Sequence, residues 1–276
     1  MINELIQMFS YDFLLRAIVV GMIVSACCAA LGTNLVVKRY SMIGDGLSHV
    51  SFGVYAIAIG VGFTKIPLLI VIPVVIFAAY ILLRIGESTK VKSDAAIGLF
   101  SSSALAIGYI FGSLKHGGFS TDINSLMFGS IVFANRQDLI IMLITAALVI
   151  GLFIIFYNRI FAVTFDEPFA KATGTNTRLF NMLFASLTAI TIVIGMRIMG
   201  TLLISSIIIF PALSSMQVFR KFKNVIVSSA LISLLSFLIT FFVFTNLPFG
   251  ASVVVVNLAT FIIFVIVGKF KRRYGN

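Results

Sequence analysis

The chain has 276 residues, of which 60% are hydrophobic and only 11% are charged, and its formal net charge is +11. Soluble domains contain about 45–50% apolar and about 25% charged residues, so this composition excludes a soluble globular protein and indicates a polytopic membrane protein. Lys and Arg collect in the cytoplasmic loops of such proteins, and we therefore attribute the positive charge to loops and expect no nucleic-acid partner.

Apolar segments of about 20 residues, long enough to cross about 30 Å of hydrocarbon as helices, recur along the chain. Nine can be recognised, and each is expected to be helical because irregular backbone does not face lipid. Their approximate limits are Tyr11–Val37, Met42–Phe63, Ile66–Ile85, Asp94–Ser113, Asp138–Tyr157, Arg178–Met196, Met199–Val218, Asn224–Thr245 and Ala251–Gly268. The connections after Phe63 and at Arg197 are very short, so eight spans with one broken or re-entrant segment are the alternative.

Most of the 20 Lys and Arg residues fall in alternate connections between these segments. The basic connections contain Lys38 and Arg39, then Arg84, Lys90 and Lys92, then Arg159, Lys171 and Arg178, then Arg220, Lys221 and Lys223, and finally Lys269, Lys271, Arg272 and Arg273. Because basic loops stay in the cytoplasm, this pattern predicts an external N-terminus and a cytoplasmic C-terminus. The sequence shows no repeat or low-complexity segment and predicts one transmembrane domain over residues 1–276.

The second span contains an aspartate and a histidine four residues apart, Asp45 and His49. Every other Asp, Glu and His falls in a loop or at the end of a span. Residues four apart share one face of a helix, and an ionisable group inside the membrane usually marks a pathway or a binding site. A carboxylate with an imidazole suits divalent metals such as Zn²⁺ and Mn²⁺. A proton relay and a packing pair hydrogen-bonded to neighbouring helices are the alternatives.

Small residues surround this pair at Gly44, Gly46, Ser48 and Gly53. They let neighbouring helices approach closely, and they also leave backbone accessible to an ion. Two ligands are too few for a transition metal, so water or groups from other spans must complete the shell. With Lys38 on the cytoplasmic side, Asp45 would lie about 6 Å and His49 about 12 Å into a straight helix, unless the helix is broken.

The connection over residues 158–177 is long and lies on the predicted cytoplasmic side. It has the residue order of a short capped helix, with acidic residues and proline first, lysine later and glycine at the end. These residues are Asp166, Glu167, Pro168, Lys171 and Gly174. Phe165 and Phe169 would be exposed on this helix and need something to cover them. Docking onto another subunit and lying flat on the bilayer are the two interpretations.

Five segments, in this order, resemble the permease subunits of the bacterial ABC importers for zinc and manganese. They are Tyr40–Gly53, Leu126–Ile131 followed by Asp138, Phe165–Gly174, Gly195–Ala212 and Pro248–Ser252. The first matches the Gly-Asp-small-Leu-Ser-His pattern of the family, and the fourth includes Pro211. One departure is Val50–Val54, where many members have a Leu-Pro-Gly-like stretch.

The resemblance implies a transport subunit and not an enzyme, in a bacterial plasma membrane. Two copies would surround a central pathway, in which Asp45 and His49 hold the metal ion transiently and Pro211 belongs with the packing glycines. Zinc and manganese are both implied, and iron is not excluded by an oxygen and nitrogen pair. No cofactor would be bound permanently, since the metal is cargo.

The resemblance also implies partners. Residues 158–177 would form the coupling element onto a cytoplasmic ATPase, through Phe165, Asp166, Glu167, Phe169, Ala170 and Gly174. The sequence contains no Gly-x-x-x-x-Gly-Lys-Ser/Thr loop, so a separate subunit would bind ATP. An extracellular metal-binding protein would deliver the ion.

Two other classes of protein remain alternatives at this stage. A proton-coupled secondary metal transporter would use the same Asp and His without an ATPase, but it would give no account of the segment Phe165–Gly174. A membrane scaffold that transports nothing would need only packing roles for the pair.

Overall fold

The computed structural model describes residues 12–63, 67–86, 93–113, 136–244 and 247–274. Within these ranges every regular element is an α-helix, which confirms the predicted fold class. The helices are α1 (Asp12–Val37), α2 (Ser41–Val61), α3 (Pro67–Gly86), α4 (Ser93–Ser113), α5 (Arg136–Ile155), α6 (Tyr157–Phe165), α7 (Glu167–Ala172), α8 (Thr177–Met199), α9 (Thr201–Val218), α10 (Phe222–Val243) and α11 (Phe249–Tyr274). The family-like segment at Leu126–Ile131 lies outside the described residues.

Eight of the described helices, α1 to α4 and α8 to α11, are each long and apolar enough to cross a membrane. A ninth candidate is the pair formed by α5 and α6, which is bent by 70°. The prediction of nine spans with eight as the alternative agrees with this arrangement. The bend, however, lies at Phe156, and not at the two very short connections. Both helices beside each of those connections are long enough to span by themselves.

The segment after the bend is a helix where the sequence suggested a loop. Within α6, Ile160 and Val163 are both only 3% exposed, and Val163 packs against Phe180 of α8. Residues three apart share a helix face, so α6 has one face that must be covered by the bundle. This tertiary contact holds α6 along the end of the bundle.

Two side-chain contacts identify the helix ends that meet at one end of the bundle. The ammonium of Lys38, just after α1, lies 3.7 Å from a carboxylate oxygen of Glu167 in α7. The Arg178 guanidinium, at the start of α8, donates a 2.7 Å hydrogen bond to the Tyr80 hydroxyl in the second half of α3. We call this the basic end of the bundle. Its assignment to the cytoplasmic side remains a prediction.

Helix α2 packs between α4 and α9. At its crossing with α4 the two backbones meet through glycines. A Cβ atom on Gly53 would overlap the carbonyl oxygen of Ala104, and one on Gly108 would lie 2.5 Å from the Cα of Gly53. The close approach therefore depends on the missing side chains.

We expect Gly53→Ala to lower the free energy of unfolding by about 1–3 kcal/mol, because the added methyl overpacks the crossing of α2 and α4. Gly151→Ala is the matched control, since a Cβ at Gly151 meets no atom within 4 Å. Both variants gain the same helix propensity, so the difference between them isolates the clash. The thermal unfolding midpoint of the detergent-solubilised protein provides the measurement. Equal midpoints for the two variants would contradict the packing described here.

Candidate functional site

A tight reversal of the chain fixes the start of α2. Arg39 adopts a left-handed conformation with φ of 62°, and the Tyr40 amide donates a 2.7 Å hydrogen bond to the Leu35 carbonyl at the end of α1. Helix α2 then runs unbroken from Ser41 to Val61. The pair therefore lies on a continuous helix, in the half nearer the basic end, and the broken-helix alternative is not observed.

Asp45 and His49 lie side by side one turn apart on α2. Asp45 Oδ1 and His49 Nε2 are 3.7 Å apart, beyond the 2.7–3.2 Å range of a hydrogen bond. The Asp45 side chain is 37% exposed and the His49 side chain 18% exposed. His49 Nδ1 is buried and has no hydrogen-bond partner among the described residues. The two side chains are close enough to share a ligand but are not locked to each other.

The packing interpretation required hydrogen bonds from the pair to neighbouring helices. Among the described residues, the bond from α2 to α9 at this level is made by Ser48, whose hydroxyl lies 3.2 Å from that of Ser205. The Ser48 hydroxyl also donates a 2.7 Å hydrogen bond to the Asp45 carbonyl. Ser48 thus supplies a polar contact between α2 and α9 at this level.

The glycines beside the pair place α2 close to its neighbours. A Cβ on Gly44 would lie 3.2 Å from Ile208 of α9, and one on Gly46 would lie 2.6 Å from Ile97 of α4. Pro211 is buried within α9. These contacts fix the orientation of α2, and with it the direction in which the pair projects.

Within the described part of the chain, no group of three or more His, Cys, Asp or Glu side chains is arranged to hold a metal ion. Asp45 and His49 thus stand without a third side chain of these types beside them in the described residues, and their role as metal ligands stays a prediction. The pair also lies on the less buried side of α2, where Met42 is 46% exposed. The adjacent helix α4 exposes Leu99, and Gly98 on α4 has open space where a side chain would be.

The second predicted site, the capped helix, is α7. The Asp166 side chain accepts a 2.9 Å hydrogen bond from the Phe169 amide, and Pro168 occupies the first turn. At the other end Gly174 has φ of 84°, and the Thr175 amide donates to the Ala170 carbonyl at 2.9 Å. The predicted capped helix is confirmed.

Helix α7 has an inner and an outer face. Ala170 is fully buried against Val163 and Phe180. Phe165 and Phe169 are 55% and 61% exposed, as the sequence predicted.

The two exposed rings differ in their surroundings. The Phe165 ring lies 4.8 Å from that of Phe161 and 5.3 Å from that of Phe222, between centroids. Phe169 has no such ring partner in the described residues, so its exposed ring projects from α7 without a covering aromatic side chain.

Glu167 was grouped with the docking residues, but its carboxylate contacts the bundle. It accepts a 3.0 Å hydrogen bond from the Asn181 amide and lies 3.7 Å from the Lys38 ammonium. Lys38 and Asn181 are partners of Glu167 that the sequence does not predict. Lys38 is 143 residues from Asn181 along the chain, and no local pattern reports a contact over that separation.

A sequence profile described as the ABC 3 transport family matches residues 10–268 of the chain. Among curated proteins, the "Probable iron transport system membrane protein" of Haemophilus influenzae is 26% identical, with 100% of this chain and 96% of that protein aligned. The "Manganese import system permease protein ScaB" of Streptococcus gordonii is 29% identical, over 99% and 98% of the two chains. The "High-affinity zinc uptake system membrane protein ZnuB" of Buchnera aphidicola is 28% identical, over 85% and 89%.

Among solved structures, the fold is similar to a chain of PsaBC from Streptococcus pneumoniae in complex with Fab. The TM-score is 0.85 at 28% sequence identity, and the superposition covers 96% of this chain and 95% of that chain. The similarity thus extends over nearly the whole chain.

We expect Asp166→Ala to destabilise α7 by about 0.5–2 kcal/mol, because it removes the side-chain acceptor at the helix N-terminus. Asp166→Asn should retain most of the stability, since Asn caps about as well as Asp. Hydrogen exchange of the backbone amides of Glu167 and of residues 169–172 provides the measurement, since Pro168 has no amide hydrogen. Equal exchange rates in the Ala and Asn variants would show that the cap does not hold this helix.

Proposed function

Since the chain belongs to the ABC 3 transport family and is a membrane permease of an ABC transporter, we propose that it moves a divalent transition-metal ion, zinc or manganese, into the cytoplasm. The observation that carries this proposal is the Asp45 and His49 pair. It places a carboxylate and an imidazole together on a membrane-spanning helix, without hydrogen bonds from either side chain to another described helix. The names of the manganese and zinc relatives support it, and the relative named for iron keeps iron as a third candidate.

The exposure of the pair supports assembly of two copies. A charged side chain facing hydrocarbon costs a few kcal/mol or more, yet Asp45 is 37% exposed on a membrane-spanning helix. A second copy, packed against the surface formed by α2 and the weakly buried α4, would cover this face. Two copies would bring together two carboxylates and two imidazoles, which is the four-ligand minimum of a typical transition-metal site.

A mixed oxygen and nitrogen set fits a transported ion better than a resident one. Imidazole suits zinc, and carboxylate and water suit manganese, so such a set binds either ion without the thiolates typical of structural zinc sites. A transported ion must bind well enough to leave water and weakly enough to be released. The metal is therefore substrate, and no permanently bound cofactor is invoked.

The charge distribution supports placing the basic end in the cytoplasm, with the N-terminus outside. In that orientation, α7 and the exposed Phe169 ring face an ATPase subunit, which would bind and hydrolyse ATP. The coupling element lies within the connection over residues 158–177. Its conformation and its orientation depend on Phe165, Asp166, Ala170 and Gly174. An extracellular metal-binding protein would deliver the ion at the opposite end. The whole assembly would lie in the lipid of a bacterial plasma membrane.

We expect Asp45→Ala and His49→Ala to reduce metal uptake by more than about 100-fold, because even residues that only contact ligands change metal affinity or activity by about 10–100-fold. Metal-resolved uptake, measured by mass spectrometry in cells that lack the gene and carry each variant, provides the test. The metal whose uptake returns with the unaltered gene identifies the cargo among zinc, manganese and iron.

Asp94→Asn is the control, since Asp94 is an exposed carboxylate in the first turn of the neighbouring helix α4. It should transport normally. Normal uptake by either Asp45 or His49 variant would refute the pathway assignment. In vesicles, uptake that stops with a proton ionophore and continues after ATP depletion would favour a secondary transporter.

We expect Phe169→Ala to reduce co-purification of the ATPase subunit, since truncating a central aromatic side chain at an interface typically costs about 2 kcal/mol or more. Leu69→Ala removes a side chain that is 70% exposed, in the first turn of α3 and away from the basic end, and should leave the yield unchanged. The ratio of ATPase to permease after affinity purification reports the result. An unchanged ratio for the Phe169 variant would exclude docking through this ring.

A further inference from the structure

Three side chains contact one another at the basic end, next to the start of α2. The Lys38 ammonium donates a 2.6 Å hydrogen bond to Asn181 Oδ1. Asn181 Nδ2 donates in turn to Glu167 Oε1 at 3.0 Å, and Glu167 Oε2 lies 3.7 Å from Lys38 Nζ. One network therefore joins the connection between α1 and α2, the capped helix α7, and the first two turns of α8.

The network is mostly shielded from water on the lysine side. The Lys38 side chain is 12% exposed and that of Glu167 is 42% exposed. A shielded ammonium is strongly disfavoured without a partner, so a movement of Asn181 and Glu167 would draw Lys38 with them. An ion pair on an exposed surface contributes little to stability. This network is different, because Lys38 is largely buried and the neutral amide of Asn181 bridges Lys38 and Glu167.

Lys38 lies just before α2, the helix that carries Asp45 and His49. We call these two residues the metal pair. The backbone amides of Lys38 and Tyr40 donate hydrogen bonds to the carbonyls of Asn34 and Leu35 at the end of α1. These bonds make the reversal short and rigid. Helix α2 begins directly after it at Ser41 and is continuous through the metal pair. A displacement of the Lys38 backbone would therefore act on the first turn of α2.

A second contact joins the same two regions. The Thr164 hydroxyl, near the end of α6, donates a 3.2 Å hydrogen bond to Asn34 Oδ1 at the end of α1. Helices α6 and α7 are thus attached at one point to the last turn of α1 and at another to the reversal that follows it. By contrast, Arg39 is exposed in the same reversal and takes no part in the network.

We propose that Lys38 is a positioning residue, which transmits displacement of α7 to Asp45 and His49 through Glu167 and Asn181. The proposal rests on the proposed function, since it takes α7 as the element moved by the ATPase. Glu167 then acts toward the bundle and not toward the ATPase. The network holds the metal pair in one orientation while α7 is at rest and shifts it when α7 moves.

The test uses the complete transporter, with its ATPase subunits, reconstituted in vesicles. We expect Lys38→Met to retain assembly and the basal rate of ATP hydrolysis, but to reduce the number of metal ions transported per ATP by about tenfold, the scale expected when one coupling contact is removed. Arg39→Gln removes the neighbouring charge and should leave that ratio unchanged. The charge-reversed double variant, Lys38→Glu with Glu167→Lys, should recover more of the ratio than either single reversal.

A merely structural role would lower assembly, ATP hydrolysis and uptake together, and that result would overturn the proposal. An unchanged ratio in Lys38→Met would also overturn it. Hydrogen exchange on nucleotide binding gives a readout that does not depend on metal uptake. In the unaltered transporter, exchange should change both at residues 167–172 and at residues 38–45, and in Lys38→Met only at the former.

These measurements separate the two proposals. If the unaltered protein transports no metal, the proposed function fails, whereas the exchange result still decides whether α7 and α2 move together through Lys38. If uptake is normal in the unaltered protein and exchange at residues 38–45 still changes in Lys38→Met, the proposed function stands and the role of Lys38 is refuted.

Discussion

The rest of the structure depends on the position of two ionisable side chains on a helix that spans the membrane. Hydrocarbon does not solvate a carboxylate, so Asp45 and His49 persist at partial exposure only if something other than lipid covers them. Part of this cover comes from α9 and α4, which pack closely on α2 because Gly44, Gly46 and Gly53 have no side chains. The remaining side of α2 is uncovered in a single copy, and this is the reason for proposing a second copy of the chain.

The interactions that hold α2 are distinct from the groups that would bind the ion. Ser48 makes the polar contact to α9, and the glycine crossing with α4 sets the distance between the two backbones. Because packing is provided elsewhere, the carboxylate and imidazole remain without hydrogen bonds to other described helices. A group that was already bonded would have to break that bond to bind an ion, which would weaken metal binding.

At the basic end, two side chains of α7 point in opposite directions, one out of the bundle and one into it. Phe169 points outward from α7, where it is 61% exposed, while Glu167 on the same short helix contacts Lys38 and Asn181 inside the bundle. One helix therefore has an outward apolar surface suited to a partner and an inward polar network that reaches the start of α2. The proposed coupling between the surface of the bundle and the pair Asp45 and His49 depends on this combination.

The sequence by itself determined the features that depend on local physics. Apolar length placed the spans, residue order predicted the capped helix at α7, and the isolation of Asp45 and His49 among apolar residues identified the pair. Only the tertiary structure decided the bend at Phe156, the inward direction of Glu167 and the close crossing of Gly53 with Gly108. Each of these depends on contacts between residues that are distant along the chain, such as Glu167 with Lys38. Hydrophobic periodicity indicates which face of a helix is covered, but it does not indicate which residues cover that face.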